Sequence, residues 1–265
     1  MSVGKKSTDP ARTLTEEARA GAPKLVACSS EAAARMVADE ICELLAQRSA
    51  QGLPCVIAFP TGKTPLALYA ELVHRKKAGK LDPAGLVAFN LDEYCGLAAD
   101  HPRSFARFMR EHLFDAIGLD PAHCHIPRGS MDPSAIASHC REYERKILAA
   151  GGLDMVLLGL GRNGHVAFNE PGSKKESRTR KVQLSVETRT DLASQFGGLE
   201  HTPTEAISMG IATLLSAKRL RWMAFGESKR AILRRTLSET QSSQCPATWL
   251  RTHGDCKLFS DVLDH

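Results

Sequence analysis

Short apolar runs alternate with amphipathic stretches along most of the chain, and this alternation constrains the fold more than any other feature. The runs predicted as strands are 24–28, 54–59, 86–91, 153–158, 221–224, 247–250 and 257–259. The predicted helices follow Ser30 and Pro65 and then cover 104–117, 134–149, 204–216 and 228–238. Alternating strands and helices form parallel sheets that are covered on both faces. The sequence therefore predicts an α/β fold with a single doubly wound, mostly parallel, Rossmann-like sheet and helices on both faces.

The length of the chain favours one domain. It has 265 residues, and 43% of them are apolar, which is enough for a sizeable core. Single α/β domains often run to about 250 residues. We predict a loosely ordered N-terminal arm at 1–23 and one domain at 24–265. The polar, irregular stretch 172–203 is predicted to be a lid.

Composition argues against two classes of partner. The net charge is only +5 and the Lys and Arg residues are scattered, so no nucleic acid is expected to bind. The longest apolar stretches, such as Met155–Leu160, are far too short to span a bilayer. The eight cysteines form no C-x-x-C pair, and residues 1–24 contain no apolar run that would indicate secretion. We therefore predict a cytoplasmic protein with reduced thiols and no membrane association.

Three unusual segments, 60–65, 92–96 and 159–171, follow three of the predicted strands directly. In doubly wound sheets the ligand lies beyond the carboxyl ends of the strands. This clustering predicts a single site built from the three segments.

The first segment suits an anion. Thr61, Gly62, Lys63 and Thr64 lie between a strand and a helix, where backbone N–H groups carry partial positive charge. Lys63 adds a cation, and the two threonines add hydroxyl groups. The Gly-Lys-Thr sequence is not a P-loop, because Ile57 stands where that pattern needs a glycine. An ordinary strand–helix turn remains the alternative for this segment alone.

The second segment contains adjacent carboxylates, Asp92 and Glu93, at the end of an apolar strand. Neighbouring side chains on a strand point opposite ways, so one carboxylate can face the site and the other the protein. Partial shielding from water raises a carboxyl pKa, which suits a general base. A helix cap or a surface acid pair is the alternative.

The third segment is the Gly-rich loop 159–171, which holds Asn163, His165 and Glu170. Histidine exchanges protons near neutral pH, and an acidic partner would fix its tautomer and raise its pKa. The glycines of the loop loosely match a dinucleotide fingerprint. Pro171 argues against the helix that such a site requires.

Together these segments carry a resemblance. Asn90–Tyr94, Gly161–Pro171 and Ser177–Arg180 resemble the signature segments of the glucosamine-6-phosphate deaminase/isomerase family. The resemblance extends from about residue 25 to 260. It implies that the chain converts glucosamine 6-phosphate to fructose 6-phosphate and ammonia by acid–base catalysis.

The resemblance also implies roles for the polar residues. His165 would hand a proton to the ring oxygen and open the sugar, with Asn163 and Glu170 holding and tuning the imidazole. Asp92 would move a proton from carbon 2 to carbon 1. Glu93 would orient the loop. The reaction would use no metal and no cofactor.

The phosphate is expected on Thr61–Thr64, joined by Lys229. The family usually places an arginine where Gln195 stands and a small residue where Lys63 stands. We hypothesise that Lys63 supplies the missing cation.

Several alternatives stay open at this stage. Galactosamine 6-phosphate could be the substrate, because the segment Pro246–Leu250 also resembles enzymes acting on that sugar. A 6-phosphogluconolactonase would need His165 but not Asp92, and a non-catalytic sugar-phosphate sensor could lack either of them. Regulation at a second site is not expected, since Val182 stands where a lysine is usual. The chain could be a monomer or a homo-oligomer.

Overall fold

The structure is a computed structural model that describes residues 22–263. The predicted arm at 1–23 therefore lies outside the described residues except for its last two positions. The strands are β1 (Lys24–Ala27), β2 (Cys55–Phe59), β3 (Leu86–Asn90), β4 (Asp92–Tyr94), β5 (Cys124–His125), β6 (Met155–Leu158), β7 (Arg180–Gln183), β8 (Glu205–Ser208), β9 (Arg219–Met223) and β10 (Cys256–Ser260). The α-helices are α1 (Ser30–Ala50), α2 (Leu66–Lys77), α3 (Phe105–Met109), α4 (Asp115–Ile117), α5 (Ile136–Ala149), α6 (Val186–Phe196), α7 (Ile211–Leu215) and α8 (Arg230–Ser238).

The main sheet has seven parallel strands in the order β1-β10-β9-β6-β2-β3-β5. The chain builds outward from β2 through β3 to β5 and then returns to β6 on the other side of β2. The order of strands therefore reverses between β2 and β6. Ligands in doubly wound sheets bind at the carboxyl ends of the strands next to such a reversal. The predicted fold class is confirmed.

Each face of this sheet packs against its own set of helices. Val56 and Ala58 of β2 belong to a core with Tyr143 of α5 and Leu233 of α8. Their neighbours on the same strand belong to a second core with α1, α2 and the helical segment after Ser104. Because strand side chains alternate between faces, a strand that is apolar throughout must be covered on both sides.

A small antiparallel sheet, in the order β4-β8-β7, stands beside the carboxyl end of the main sheet. Asp92 on β4 lies opposite Ser208 on β8, and Ser208 also lies opposite Arg180 on β7. Only Leu91 separates β3 from β4, so the small sheet fixes the direction in which the chain leaves the main sheet.

Three sequence predictions are wrong in detail. The stretch 172–203 is not irregular, because it contains β7 and α6. The stretch 204–216 was predicted to be helical, but its first part is β8. Gly210 lies between β8 and α7, and a Cβ on it would be 2.1 Å from the backbone oxygen of Ser177. The stretch 247–250 is part of a 3₁₀ helix, Pro246–Thr252, which the proline begins.

The predicted helix 104–117 is interrupted. A π-helical turn, Arg110–Phe114, joins α3 to α4, and Gly118 ends the segment with a φ of 69°. All eight cysteines lie among the described residues and are free. Within residues 22–263, no helix combines the length and apolar character that a membrane crossing requires.

Candidate active site

A cavity of about 390 Å³ opens at the carboxyl ends of β2, β3 and β6, where the strand order reverses. Helix α6 covers one side of it. The cavity brings together residues from all three predicted segments, namely Thr61, Gly62, Lys63, Thr64, Asp92 and His165, with Lys229 from the turn before α8. Distant parts of the chain therefore converge on one site, as the order of strands predicts.

The turn after β2 presents backbone and side-chain donors to the cavity. Gly62 has a φ of 93°, a conformation that favours glycine, so the turn before α2 depends on it. The hydroxyl of Tyr69 in α2 donates to the carbonyl of Pro60 and anchors the turn. The side chain of Lys63 is exposed and makes no hydrogen bond or ion pair in the described part of the chain. It is therefore available to an anion.

Asp92 and Glu93 point to opposite sides of β4. Asp92 lines the cavity, whereas the Glu93 carboxylate accepts hydrogen bonds from the backbone N–H groups of Tyr94, Phe105 and Ala106 at 2.9–3.0 Å. Glu93 thus fixes the start of α3 against β4. Burial raises the pKa of Asp92 well above its usual range, and the neighbouring charge of Glu93 adds to this effect. A carboxyl group in this setting holds a proton readily, as a proton-transfer group must.

His165 lies against Gly161 in the loop after β6. A Cβ on Gly161 would be 2.2 Å from the imidazole Cε1, so the ring occupies the space that any other residue would need. The Nδ1 atom lies 2.8 Å from Oδ1 of Asn163 and 3.3 Å from the hydroxyl oxygen of Thr188. Because this Oδ1 also accepts the backbone N–H of His165, it is an acceptor, and Nδ1 carries the proton. Nε2 is then the free nitrogen.

Glu170 reaches His165 only through Asn163. Its Oε2 accepts a hydrogen bond from Nδ2 of Asn163 at 2.8 Å but lies 3.7 Å from Nδ1 of His165. Neither Asn163 nor Glu170 lines the cavity among the described residues. The carboxylate of Glu170 is therefore linked to the imidazole through the amide of Asn163.

The pKa of His165 is lowered overall, although the acidic partner Glu170 raises it in the direction that the sequence predicts. Burial is the largest cause, Glu170 opposes it, and the charge of Lys229 adds to the lowering. Lys229 itself donates from Nζ to the carbonyl of Leu160 at 2.7 Å, and burial lowers its pKa too. Near neutral pH the imidazole is uncharged and able to accept a proton at Nε2.

An aromatic wall closes the cavity beside Asp92. Tyr94, Phe105 and Phe168 line it, with ring centroids 4.5 Å apart for Tyr94 and Phe105 and 5.9 Å for the stacked phenylalanines. The side chain of Asp92 beside them is buried. The low local polarity strengthens electrostatic interactions with a bound molecule.

A second, larger cavity of about 590 Å³ lies beyond Phe168, along the segment 170–183. Arg180 faces it and is held by Asn169 and Ser173 at 2.8 and 2.9 Å. Neither Asp92 nor His165 lines this cavity, so the two side chains best suited to proton transfer both lie in the first one.

A family model described as glucosamine-6-phosphate isomerases/6-phosphogluconolactonase matches residues 28–258. This match contains every residue that lines the first cavity. The chain belongs to this family. The resemblance drawn from the loop segments is confirmed.

Other members of the family resemble the chain over most of its length. A glucosamine-6-phosphate deaminase of Hahella chejuensis is 41% identical over 238 residues, which are 90% of this chain and 88% of that protein. Glucosamine-6-phosphate deaminase 2 of Bacillus subtilis is 39% identical over 229 residues, 84% of this chain and 91% of that protein.

Solved structures carry the same fold. A monomeric glucosamine-6-phosphate deaminase superposes with a TM-score of 0.84 at 33% identity, covering 89% of this chain and 96% of that one. A 6-phosphogluconolactonase of Trypanosoma cruzi has a TM-score of 0.70 at 20% identity, covering 91% and 95%, and shares the fold alone.

Several residues that line the cavity were not predicted from the sequence, and the polar ones on α6 matter most. Thr188, which contacts His165, and Asp191 both belong to α6 and line the cavity, as does Arg162. The helix lies in a stretch predicted as irregular. The sequence did contain a signal for the start of this helix, because Ser185 caps α6 by accepting a hydrogen bond from the backbone N–H of Thr188 at 3.1 Å.

Proposed function

We propose that the chain is an amino-sugar-6-phosphate deaminase that converts glucosamine 6-phosphate to fructose 6-phosphate and ammonia. The observation that carries the proposal is the convergence of Asp92, His165 and the turn Thr61–Thr64 on one cavity. The reaction needs a base for a carbon-bound proton, a second group that opens the sugar ring, and a phosphate site. Deaminases of Hahella chejuensis and Bacillus subtilis, at 41% and 39% identity, support the same activity.

Ring opening falls to His165. The free Nε2 takes the proton from the hydroxyl on carbon 1 and returns it to the ring oxygen as the ring bond breaks, which leaves an open-chain aldehyde. Asn163 keeps the other nitrogen protonated, and Glu170 holds Asn163 in place. Both act as positioning residues, because they do not line the cavity.

Isomerisation falls to Asp92. Its carboxylate takes the proton from carbon 2 while solvent gives a proton to the aldehyde oxygen on carbon 1, and the product is an enolamine. The same carboxyl group then returns its proton to carbon 1, which leaves an iminium group at carbon 2. Water adds to that carbon, ammonia departs, and one proton returns to solvent as the ketone of fructose 6-phosphate forms. Burial raises the pKa of Asp92, so the group is poised both to take and to return a proton.

The phosphate is assigned to the backbone of Thr61–Thr64 and to the ammonium groups of Lys63 and Lys229. Lys63 is the more exposed cation and has no side-chain partner in the described part of the chain. We expect Lys63→Gly to raise KM for the sugar phosphate by about tenfold and to leave kcat within a few-fold of wild type, since one charged hydrogen bond contributes about 1.5 kcal/mol. Steady-state kinetics measure this, and an unchanged KM would remove Lys63 from the phosphate site.

The deciding assay follows ammonia release from purified protein with glucosamine 6-phosphate and, separately, galactosamine 6-phosphate. Release from one sugar identifies both the reaction and the epimer. A lack of release combined with hydrolysis of 6-phosphogluconolactone would replace the proposal with the lactonase activity that also occurs in the family. The cavity favours the deaminase, because lactone hydrolysis gives Asp92 no role. The cytoplasmic location and the single domain at 24–265 stay predictions from the sequence.

A further inference from the structure

The cations that line the cavity are not equally free. Lys63 has no side-chain partner within the described chain, and Lys229 gives one hydrogen bond to a backbone carbonyl. Arg162 is instead held by Asp191 through two bonds, Nε to Oδ2 at 3.0 Å and Nη2 to Oδ1 at 2.6 Å. Both members of this pair line the cavity. The cavity thus contains an arginine already occupied by a carboxylate.

The pair joins the loop after β6 to the covering helix α6. Thr188, Asp191 and Gln195 recur at helical spacing and line the same cavity, so one face of α6 points into it. Thr188 is buried against His165, whereas the side chains of Arg162 and Asp191 are 53% and 37% exposed. The pair therefore lies at the mouth of the cavity, on the same helix face that reaches the imidazole.

A phosphate group can compete with Asp191 for this arginine. The planar guanidinium binds carboxylate and phosphate with the same two-pronged geometry, and a phosphate ester carries up to about two negative charges. An exposed ion pair contributes only about 0–1 kcal/mol, so its exchange costs little. The pair also lies within electrostatic reach of Lys229, because Asp191 raises and Arg162 lowers the lysine pKa that burial depresses.

We propose that Arg162 is a phosphate ligand of this cavity and that Asp191 is its resting counter-ion, displaced when a sugar phosphate binds. The inference rests on the proposed function only in requiring that the ligand carry a phosphate. Neutral sugars lack the charge to displace Asp191, so the pair selects phosphorylated ligands. When a phosphate takes Arg162, the carboxylate of Asp191 is released from the loop.

A purely structural pair would behave differently. If Arg162 and Asp191 only tied α6 to the loop, loss of either side chain would loosen the helix and weaken binding. If Asp191 is a competitor for Arg162, its loss strengthens phosphate binding. The two roles therefore predict opposite signs for Asp191→Asn.

The test measures binding of inorganic phosphate by isothermal titration calorimetry, which does not depend on turnover. We expect Arg162→Met to raise Kd about tenfold, because about 1.4 kcal/mol is lost with one charged contact. We expect Asp191→Asn to lower Kd by up to about fivefold, because the competing ion pair that it removes contributes at most about 1 kcal/mol. The double variant should bind phosphate with the same Kd as Arg162→Met, because Asp191 acts through the arginine.

Matched controls come from the exposed pair of Arg235 and Glu239, 2.9 Å apart in and after α8 and outside the cavity. Arg235→Met and Glu239→Gln should leave the phosphate Kd at the wild-type value. Thermal melting of each variant reports whether it is folded. Should Arg162→Met unfold, Arg162→Lys keeps a cation without the planar fork and should still raise Kd a few-fold.

Two outcomes would overturn the inference. Weaker phosphate binding by folded Asp191→Asn would make the pair structural. An equal gain in phosphate affinity from Asp191→Asn with and without Arg162 would mean that Asp191 acts through the effect of its charge on Lys229. Ammonia release by the wild-type protein is a separate measurement, so a failed deaminase assay with the expected Kd pattern would leave the inference standing.

Discussion

Gly161 allows His165 to occupy its place, and Gly161→Ala tests this directly. A Cβ at this position would lie 2.2–2.4 Å from three ring atoms of the imidazole. Ordinary contact begins at 3.4 Å, so the ring must move by about 1.2 Å, the difference from 2.2 Å. The backbone at Gly161 does not need a left-handed φ, so alanine brings no conformational strain of its own. The change therefore acts through the position of the ring.

A shift of this size breaks the 2.8 Å contact between His165 Nδ1 and Asn163 and moves Nε2 away from the sugar. Misplacement of a reacting group by about 1 Å can cost about 100-fold in rate, which corresponds to about 2.7 kcal/mol. We expect Gly161→Ala to lower kcat for ammonia release by about this factor. KM for the sugar phosphate should change little, because none of the proposed phosphate contacts, on Thr61–Thr64, Lys229 and Arg162, is made by the imidazole that moves.

The assay compares kcat, KM and the melting temperature of Gly161→Ala with those of wild type. Gly254→Ala is the matched control, since a Cβ there meets nothing within 4 Å and its φ is also outside the left-handed region. The control should keep wild-type kcat and stability. A folded Gly161→Ala protein with wild-type kcat would refute the reasoning, because it would mean that the ring position is not needed for the reaction.

Three further changes test other parts of the structure. Asp92→Asn should lower kcat by about 10²–10⁴-fold. Because burial raises the pKa of Asp92 in the folded protein, the ionised carboxylate costs stability once the pH has risen through that pKa. The variant should therefore melt at a higher temperature than wild type at pH 8 but not near pH 3. Thr188→Val removes the hydroxyl 3.3 Å from His165 Nδ1 and should lower kcat by about three- to tenfold without changing KM. Thr188→Ser keeps a hydroxyl and should retain most of the wild-type kcat. Equal losses of kcat in the two variants would contradict a hydrogen-bonding role. Arg221→Met, far from the cavity, removes the buried guanidinium that bonds Glu40 at 2.6 Å, while Lys257 still bonds the other oxygen of Glu40 at 2.7 Å. The free energy of unfolding should fall by about 2 kcal/mol in urea titrations, the contribution of one charged hydrogen bond, with kcat of the folded protein unchanged.

The main sheet could be predicted from the sequence because its strands are local apolar runs. β2 and β6 are buried along their whole length, and their composition alone distinguishes them from the helices. The small sheet could not be predicted in this way. β4 has three residues, two of them carboxylates, and it becomes a strand only through pairing with β8, more than a hundred positions away. Such pairing leaves no local pattern.

The residues that face the cavity likewise include some that the sequence could predict and some that it could not. The turn Thr61–Thr64, Asp92 and His165 follow strand ends, so the order of strands is enough to bring them together. The contact between Thr188 and His165 depends on where α6 lies, and the polar sequence of that helix has a weak apolar face. The sequence predicted that Asn163 and Glu170 would together hold the imidazole of His165. The 3.7 Å separation of Glu170 Oε2 from His165 Nδ1 shows that the amide of Asn163 comes between them.

The small antiparallel sheet limits how members of this family can exchange parts. β7 and β8 flank α6 in the chain, and β8 pairs with the strand that carries Asp92. A one-residue insertion in β8 would turn its side chains over and shift the partner of Asp92 from Ser208 to a neighbour. A chimaera should therefore transplant 180–208 as a block, or else graft only the cavity-facing positions of α6 such as Leu192 and Gln195. Point substitutions at those positions alter the lining of the cavity while the strand that carries Asp92 keeps its register.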